Sequence, residues 1–566
     1  MGAPALTRSR SRRAGGRNHF LPIVLVLGAT GLLAAAGSTL EDGRSPNGGG
    51  AARGSARDGG PGRTLAMAWA ARPGTLDPAL ANDATALNLV ANLGDPLVKL
   101  GPGLRPVPNL AREWRVSAGG RRVTFLLRGD GRWTNGEPVT ARDFAYAWRR
   151  VLSPAVRSPH AERLFGIRGA KAYHACAPRS CARLARLVGI EVRGDHELVV
   201  TLVGPRPWFP AEVTHPAFLP VHRVTVEREG RRWTRAGRIV TSGPFVLASL
   251  GRDSFTLVRN GRWRQAGHLA LARVEGRVIA DAAARVLAFD EGRVAALDGT
   301  ALPAADLPAL RERREYETYP ALAASVYAFN LASIRDVHQR RAMALAVDRT
   351  ALAETALQRT VAPAAAFLPE SAVADSGELA SPWLPPEGDL GRAREELERA
   401  SRVVRRVTIL HVDAPGRRAV ATAVRDAWRD LGLDVSLRSQ PLDAYLDFRG
   451  PLSSESVDVF ELDVRPGIPD GFAVLAQWGC RSGQNKTNFC AAGFDALLRR
   501  AQTTPEPAAR ADLYGRAERV LSGWGGAMPA VPLYWDVYPN LEALPVRESF
   551  RIDPLGRIDL SAVELR

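Results

Sequence analysis

The four cysteines fall into two local pairs. Four residues separate Cys176 from Cys181, and nine separate Cys480 from Cys490. An even number in two short loops fits two disulfides formed in an oxidising compartment. A four-cysteine zinc site is the competing chemistry, but neither spacing is a repeated C-x-x-C and no histidine lies near the second pair. Catalytic chemistry would show other spacings. The chain has no G-x-S-x-G elbow, no H-E-x-x-H and no G-x-x-x-x-G-K-[ST] phosphate loop. The nine histidines are scattered, and His160, His174, His196 and His215 have no carboxylate at a helical offset, so they read as surface or core residues. No catalytic residue, metal site or cofactor is therefore expected. The chain reads as a binder before an enzyme, although catalytic groups can converge from distant segments.

The elements that hold these residues belong to a large globular chain. Its 566 residues suffice for several domains, and 46 % hydrophobic with 24 % charged residues excludes global disorder, a collagen-like chain or a many-span membrane protein. The net charge of +17 raises nucleic acid as a partner. Only Lys99, Lys171 and Lys486 are lysines among the 76 basic residues, and the arginines are spread along the chain without a basic stripe or interleaved aromatics. That distribution argues against nucleic acid.

Arg8, Arg10, Arg12, Arg13 and Arg17 precede an uncharged run from Phe20 to Ala36, followed by small residues. Residues 1–40 are thus expected to be an export signal or, if uncut, a short membrane anchor through 20–36. Ser38 stands where a lipoprotein would carry its lipidated cysteine, so thioether lipidation is excluded there. Ser11-Arg12-Arg13 lacks the apolar residues that follow a twin-arginine motif. Residues 41–63 are Gly-rich and read as a flexible linker.

Beyond this linker the pattern is mixed α/β. Val123 to Leu127 reads as a strand, with turns at Gly129-Asp130-Gly131 and Asn135-Gly136, and so a hairpin. Arg128-Gly129-Asp130 spells an integrin-binding tripeptide but reads as turn chemistry. Thr140 and Asp143 form a capping-box pattern ahead of Phe144, Ala147, Trp148, Val151 and Leu152 at helical spacing. Strand, helix and strand at 407–412, 417–431 and 433–437 read as a βαβ unit. Near the end, Thr504 and Pro505 read as a helix start, with Leu513, Ala517, Val520, Leu521 and Trp524 as its apolar stripe. No repeat of 20 to 50 residues appears.

Six segments in order carry a family resemblance: Gly74-Thr75-Leu76-Asp77-Pro78-Ala79, Asn109-Leu110-Ala111-Arg112-Glu113-Trp114, Trp133 to Phe144, Thr241-Ser242-Gly243-Pro244-Phe245, Tyr327-Ala328-Phe329-Asn330 and Ala346-Val347-Asp348-Arg349. Together they resemble the extracytoplasmic solute-binding proteins of ABC importers for oligopeptides and dipeptides (family 5). The resemblance implies an α/β, periplasmic-binding-protein-like clamshell of two large lobes with an extra inserted domain. The expected division is lobe I from 64–105, 238–322 and 538–566, an inserted domain II at 106–237, and lobe III at 323–537. A peptide ligand held between lobes I and III, closure sensed by membrane permease subunits, and a monomer are what it implies.

Site residues follow only where the motif matches. In the stretch Val459 to Asp470, the resemblance makes Asp463 the candidate partner of a peptide's α-amino group, with Phe460 in place of the usual Trp and Val464 in place of Tyr. Extra residues before Pro469-Asp470 leave Asp470 as the alternative anchor. Trp478 and Tyr327 are candidates to line the cleft or to pack the core, and Gly94 is a candidate for close approach of the ligand backbone at the cleft wall. A binder of another solute on the same fold (an opine, a sugar or nickel) and a secreted envelope protein or enzyme that has lost transport are the alternatives. Nickel fits poorly, because the histidines are not concentrated near lobe III.

Overall fold

A computed structural model of the chain describes residues 63–101, 104–303, 305–358, 360–369, 384–446 and 457–566. The expected signal or anchor, Ser38 and all but the last residue of the Gly-rich stretch lie outside the described residues. No helix among the described residues is long and apolar enough to cross a membrane.

The first sheet has five strands, in the order Ala296–Leu297, Arg63–Trp69, Leu271–Val278, Ser254–Arg259 and Phe245–Leu250. Leu65, Met67 and Trp69 alternate along the strand Arg63–Trp69 and bury into one core. The helix Ala84–Leu93 packs beside it, capped by Asp83, whose Oδ1 accepts from the N–H of Ala86 at 2.7 Å. Two buried asparagines on this helix act as a strand edge for the chain's end. Asn88 donates to Gly556 O (3.0 Å) and accepts from Ile558 N (2.7 Å), while Asn92 donates to Ile558 O (2.8 Å) and accepts from Leu560 N (2.9 Å).

A four-stranded antiparallel sheet, ordered Ala111–Ser117, Arg122–Leu127, Glu197–Thr201 and Ile190–Arg193, shares that core. The helix Ala141–Leu152 covers it. Its start is set by Asp143, whose carboxylate accepts from both the N–H (2.8 Å) and the hydroxyl (3.0 Å) of Thr140. The Asn135-Gly136 turn forms as expected, with Gly136 at φ 95°.

The third sheet has six strands, in the order Val361–Pro363, Ala530–Leu541, Tyr316–Phe329, Val459–Val464, Arg406–Val412 and Asp434–Gln440. Arg406–Val412 and Asp434–Gln440 are parallel and joined by the helix Pro415–Arg429, which is the expected βαβ unit. Separate apolar clusters cover the two faces, one with Tyr327, Val459 and Trp428, the other with Phe460, Val464 and Trp478.

Two strands belong to both halves of the molecule. Tyr316–Phe329 and Ala530–Leu541 pair from Tyr316↔Leu541 to Pro320↔Val537, slip, and resume at Ala324↔Trp535. At the slip, the N–H of Leu322 turns to Pro554 O at 2.7 Å, and beyond the far end Ala296 bridges Glu542 of the first sheet's surroundings. These crossing strands are the continuous connection between the first sheet and the third.

Cys176–Cys181 and Cys480–Cys490 are both disulfides, and the zinc alternative falls with them. Two local expectations need correction. The late helix starts at Pro507 with Glu506 at its cap, while Thr504 closes the preceding helix Ala492–Thr503 and its hydroxyl donates to Arg500 O at 2.8 Å. Trp524 is not in the apolar stripe: Gly523 ends the helix, and Trp524 lies 74 % exposed beside Arg392.

Candidate functional site

Strand register gathers the polar groups of the third sheet at its end nearest the crossing strands' slip. Ser325 faces Asp463 and Tyr327 faces Glu461 across one pair of strands, and Ser325 faces Tyr534 across the next. Odd-numbered positions 459, 461 and 463 share one face of their strand, because side chains alternate. The helix Pro415–Arg429 starts above that face with proline in its first turn, and Arg417 reaches down from it.

Arg417 organises the recess. Its Nη1 and Nη2 donate to the two carboxylate oxygens of Asp463 at 3.0 and 2.9 Å, and Nη1 lies 2.5 Å from Glu461 Oε1. Nη1 also lies 3.2 Å from the hydroxyl oxygen of Tyr534. Ser325 donates its hydroxyl to Asp463 Oδ1 at 2.6 Å. Glu461 Oε2 accepts from Val412 N at 3.2 Å, and the hydroxyl of Tyr445 donates to the backbone oxygen of Glu461. Arg465 pairs with Asp536 and stands 3.9 Å from Asp463. Tyr538 adjoins this pair on one side and Asp553 and Arg557 of the C-terminal segment on the other. Its members run from closed to open: side-chain exposure is 6 % for Glu461, 17 % for Asp463, 22 % for Arg417 and Asp536, and 31 % for Arg465.

The charges are unevenly matched. Burial pushes Glu461 up to about 7, and Arg417 opposes this only in part because it also serves Asp463, whose own charge raises Glu461 further. Burial likewise works against an ionised Asp463, but the two-pronged contact of Arg417 outweighs it and holds that carboxyl below its ordinary value. Burial raises Asp536 against the pull of Arg465. The Tyr327 hydroxyl, pushed well up by burial and then by Glu461, has no hydrogen-bond partner among the described residues.

Of the residues expected from the sequence, the structure brings Asp463 and Tyr327 together here. Phe460 points to the opposite face and is core, at 2 % exposure. Trp478 joins that same core with its ring 4.9 Å from Phe367. Asp470 caps the helix Gly471–Leu475, accepting from Phe472 N (2.9 Å) and from the hydroxyl of Tyr514 (2.5 Å), with Arg510 at 3.4 Å. Phe460 and Trp478 pack in one apolar cluster, and Asp470 caps a helix; none of the three is among the groups of the recess. Gly94 sits apart in the first lobe, ending the helix Ala84–Leu93; a Cβ there would meet the Leu219 methyl groups at 2.9 Å. Arg417, Glu461, Ser325, Tyr534, Arg465 and Asp536 are the residues that sequence reasoning missed.

A second contact joins Arg163 and Trp208 to the segment after Val464. The Trp208 and Phe472 rings stack with centroids 4.2 Å apart and planes at 16°, and Arg163 donates to Gly467 O at 2.6 Å.

The family model for bacterial extracellular solute-binding proteins, family 5 (middle), matches residues 105–486. The chain is 29 % identical over 479 residues to the probable deoxycholate-binding periplasmic protein YgiS of Escherichia coli, covering 82 % of this chain and 86 % of that protein. Among solved structures it superposes on the unliganded open form of the murein tripeptide-binding protein MppA with a TM-score of 0.81 at 25 % identity, covering 89 % of this chain and 98 % of the other. A second structure of MppA, from Escherichia coli, gives 0.62 at the same identity, covering 89 % and 99 %.

Proposed function

The chain belongs to the bacterial extracellular solute-binding proteins of family 5, and from that premise we propose that it is the peptide-capturing component of an ABC import system. The observation that carries this reading is a pair of strands, with a slip in their register, that joins two halves of the chain, in a chain that superposes on the unliganded open form of a murein tripeptide-binding relative. Such a pair bends at its irregularity while the sheets on either side stay rigid, which is the mechanics of hinged closure around a ligand. The recess at Asp463, Tyr327 and Arg417 lies beside the slip and meets the ligand from the third lobe, with Gly94 at the wall of the first. Capture needs no bond broken or made, so no turnover is assigned. Residues 1–40 export the chain or tether it through 20–36, without a thioether lipid at Ser38, and it acts as a monomer handing its ligand to permease subunits.

The relative described as deoxycholate-binding favours a second reading, in which Arg465, the most open cation of the recess, receives the carboxylate of an amphiphile. One experiment separates the two. The purified protein is heated with short peptides or with deoxycholate, and small-angle scattering follows its radius of gyration. Peptides are expected to raise Tm with concentration, to shrink the molecule and to be recovered intact. Stabilisation by deoxycholate alone selects the second reading, and cleaved peptides refute both.

A further inference from the structure

The arginines are spread along the sequence, but their surplus is not. Residues 141–238 hold 18 Lys and Arg against eight Asp and Glu. The fold gathers much of this surplus around the helix Ala141–Leu152, where Arg142, Tyr146 and Arg149 recur at helical spacing on the outer side. Arg149 donates from Nη2 to Ile190 O at 2.6 Å and from Nε to Ala185 O at 3.4 Å, at the end of the helix Pro178–Leu187. One turn away the Arg223 guanidinium sits over the Tyr146 ring at 5.5 Å, where the helix Arg223–Glu229 begins. Two short helices therefore flank one ridge.

The helix Pro178–Leu187 has no buried residue, and the Cys176–Cys181 disulfide ties its first turn to the chain just before it. Arg179, Arg183 and Arg186 stand at i, i+4 and i+7, an exposed stripe along one side, with half-buried Leu184 away from them. On the other flank the chain runs on from Glu229 to exposed Arg231, Arg232 and Arg235. None of these six arginines makes an ion pair among the described residues. Nearby acids are taken: Asp195 holds Arg142, Glu227 holds Arg223, and Glu229 holds Arg228 and Arg238. A surface of one sign repels itself and draws the opposite charge. Leu187 and Val224, 55 % and 59 % exposed, stand next to Arg186 and Arg223. Aliphatic side chains beside arginines on surface helices suit the boundary between lipid headgroups and acyl chains. A protein partner calls for aromatic anchors in pockets, and single-stranded nucleic acid for open aromatic faces. Here Tyr146 is covered by Arg223 and Trp233 is buried.

We propose that this face lies against an anionic phospholipid surface, with its arginines on the phosphates and Leu187 and Val224 at the boundary beneath them. The contact is separate from ligand capture and holds whichever solute the protein takes.

The test uses the full chain with vesicles of phosphatidylcholine, either alone or mixed with phosphatidylglycerol. Amide hydrogen exchange is expected to slow at 178–187 and 223–238 on the mixed vesicles but not on the neutral ones, and to stay unchanged at 390–405. An arginine near an anionic surface is worth about fivefold in partition, so Arg179→Gln, Arg183→Gln and Arg186→Gln together are expected to lower the preference for mixed over neutral vesicles by about a hundredfold. Arg231→Gln, Arg232→Gln and Arg235→Gln, on the other flank, are expected to do the same. The control replaces Arg394, Arg402 and Arg405, exposed arginines outside this face, by Gln, and is expected to change the preference by less than about threefold. Comparing variants of one chain cancels whatever residues 1–40 contribute. Exchange that does not change at either helix, or that slows equally on neutral vesicles, overturns the proposal, as does a loss in the face variants no larger than in the control. Protection of the two helices by an acidic protein and by no lipid overturns it as well, and makes the face a protein-docking surface.

Discussion

Glu542 offers a sharp test of how burial sets protonation beside the crossing strands. Its side chain is fully buried at the end of Ala530–Leu541. Oε1 accepts from the Tyr319 hydroxyl at 2.7 Å and from Asn540 Nδ2 at 2.9 Å, while Oε2 has no partner among the described residues. Burial pushes its carboxyl up to about 7 from an ordinary 4.5; the two hydrogen bonds oppose this and the charge of Glu317 adds to it. The folded state therefore holds this proton through a pH range in which the unfolded chain has lost it. Below pH 4.5 both states are protonated and the group costs nothing. Between 4.5 and 7 stability falls as pH rises, and above 7 the full penalty applies. A separation of about 2.5 units at 1.36 kcal/mol each gives about 3 kcal/mol. Glu542→Gln keeps the shape and the acceptor for Tyr319 but is neutral throughout. Urea unfolding of both proteins from pH 4.5 to pH 8 is expected to show the variant gaining about 3 kcal/mol on the wild type across that range. Parallel profiles would refute the assignment of the proton to Glu542.

Arg417→Met is expected to lower stability by about 3–5 kcal/mol in urea at pH 8, because it strands two buried carboxylates, and Arg417→Lys, which keeps the charge but not the two-pronged contact, should fall between. Trp208→Ala removes the stacked contact with Phe472, and amide hydrogen exchange at residues 466–472 is expected to quicken while exchange in the strand Tyr316–Phe329 does not change.

Local features were the legible ones. The Thr140–Asp143 helix start, the βαβ unit and both disulfides rest on partners 28 positions or fewer apart, roughly one supersecondary unit. The order of family segments was enough for the fold class. The recess was hidden because its bonds join Ser325 to Asp463 across 138 positions and Arg417 to Asp463 across 46, and no short pattern links them. One placement follows from the sequence by alternation alone. Phe460 and Asp463 are separated by an odd number of positions, so a strand through both must point them to opposite faces, whatever the family resemblance implied. The late helix was misplaced because Pro505 and Pro507 both suit a first turn, and the following glycine, not the spacing of apolar residues, decided where Trp524 would stand.

The asparagine ladder of the first helix has a kinetic consequence. Asn88 and Asn92 have their main-chain partners some 468 residues away, in the segment 556–560. Until that segment has been synthesised, these amides have only their bonds to Ala84 O and Asn88 O within the helix, and the first sheet's core lacks Ile558 and Leu560 as covering. Contacts of such long range form late and slow folding. The core of the first sheet, built largely from the residues made first, is thus completed only by the residues made last.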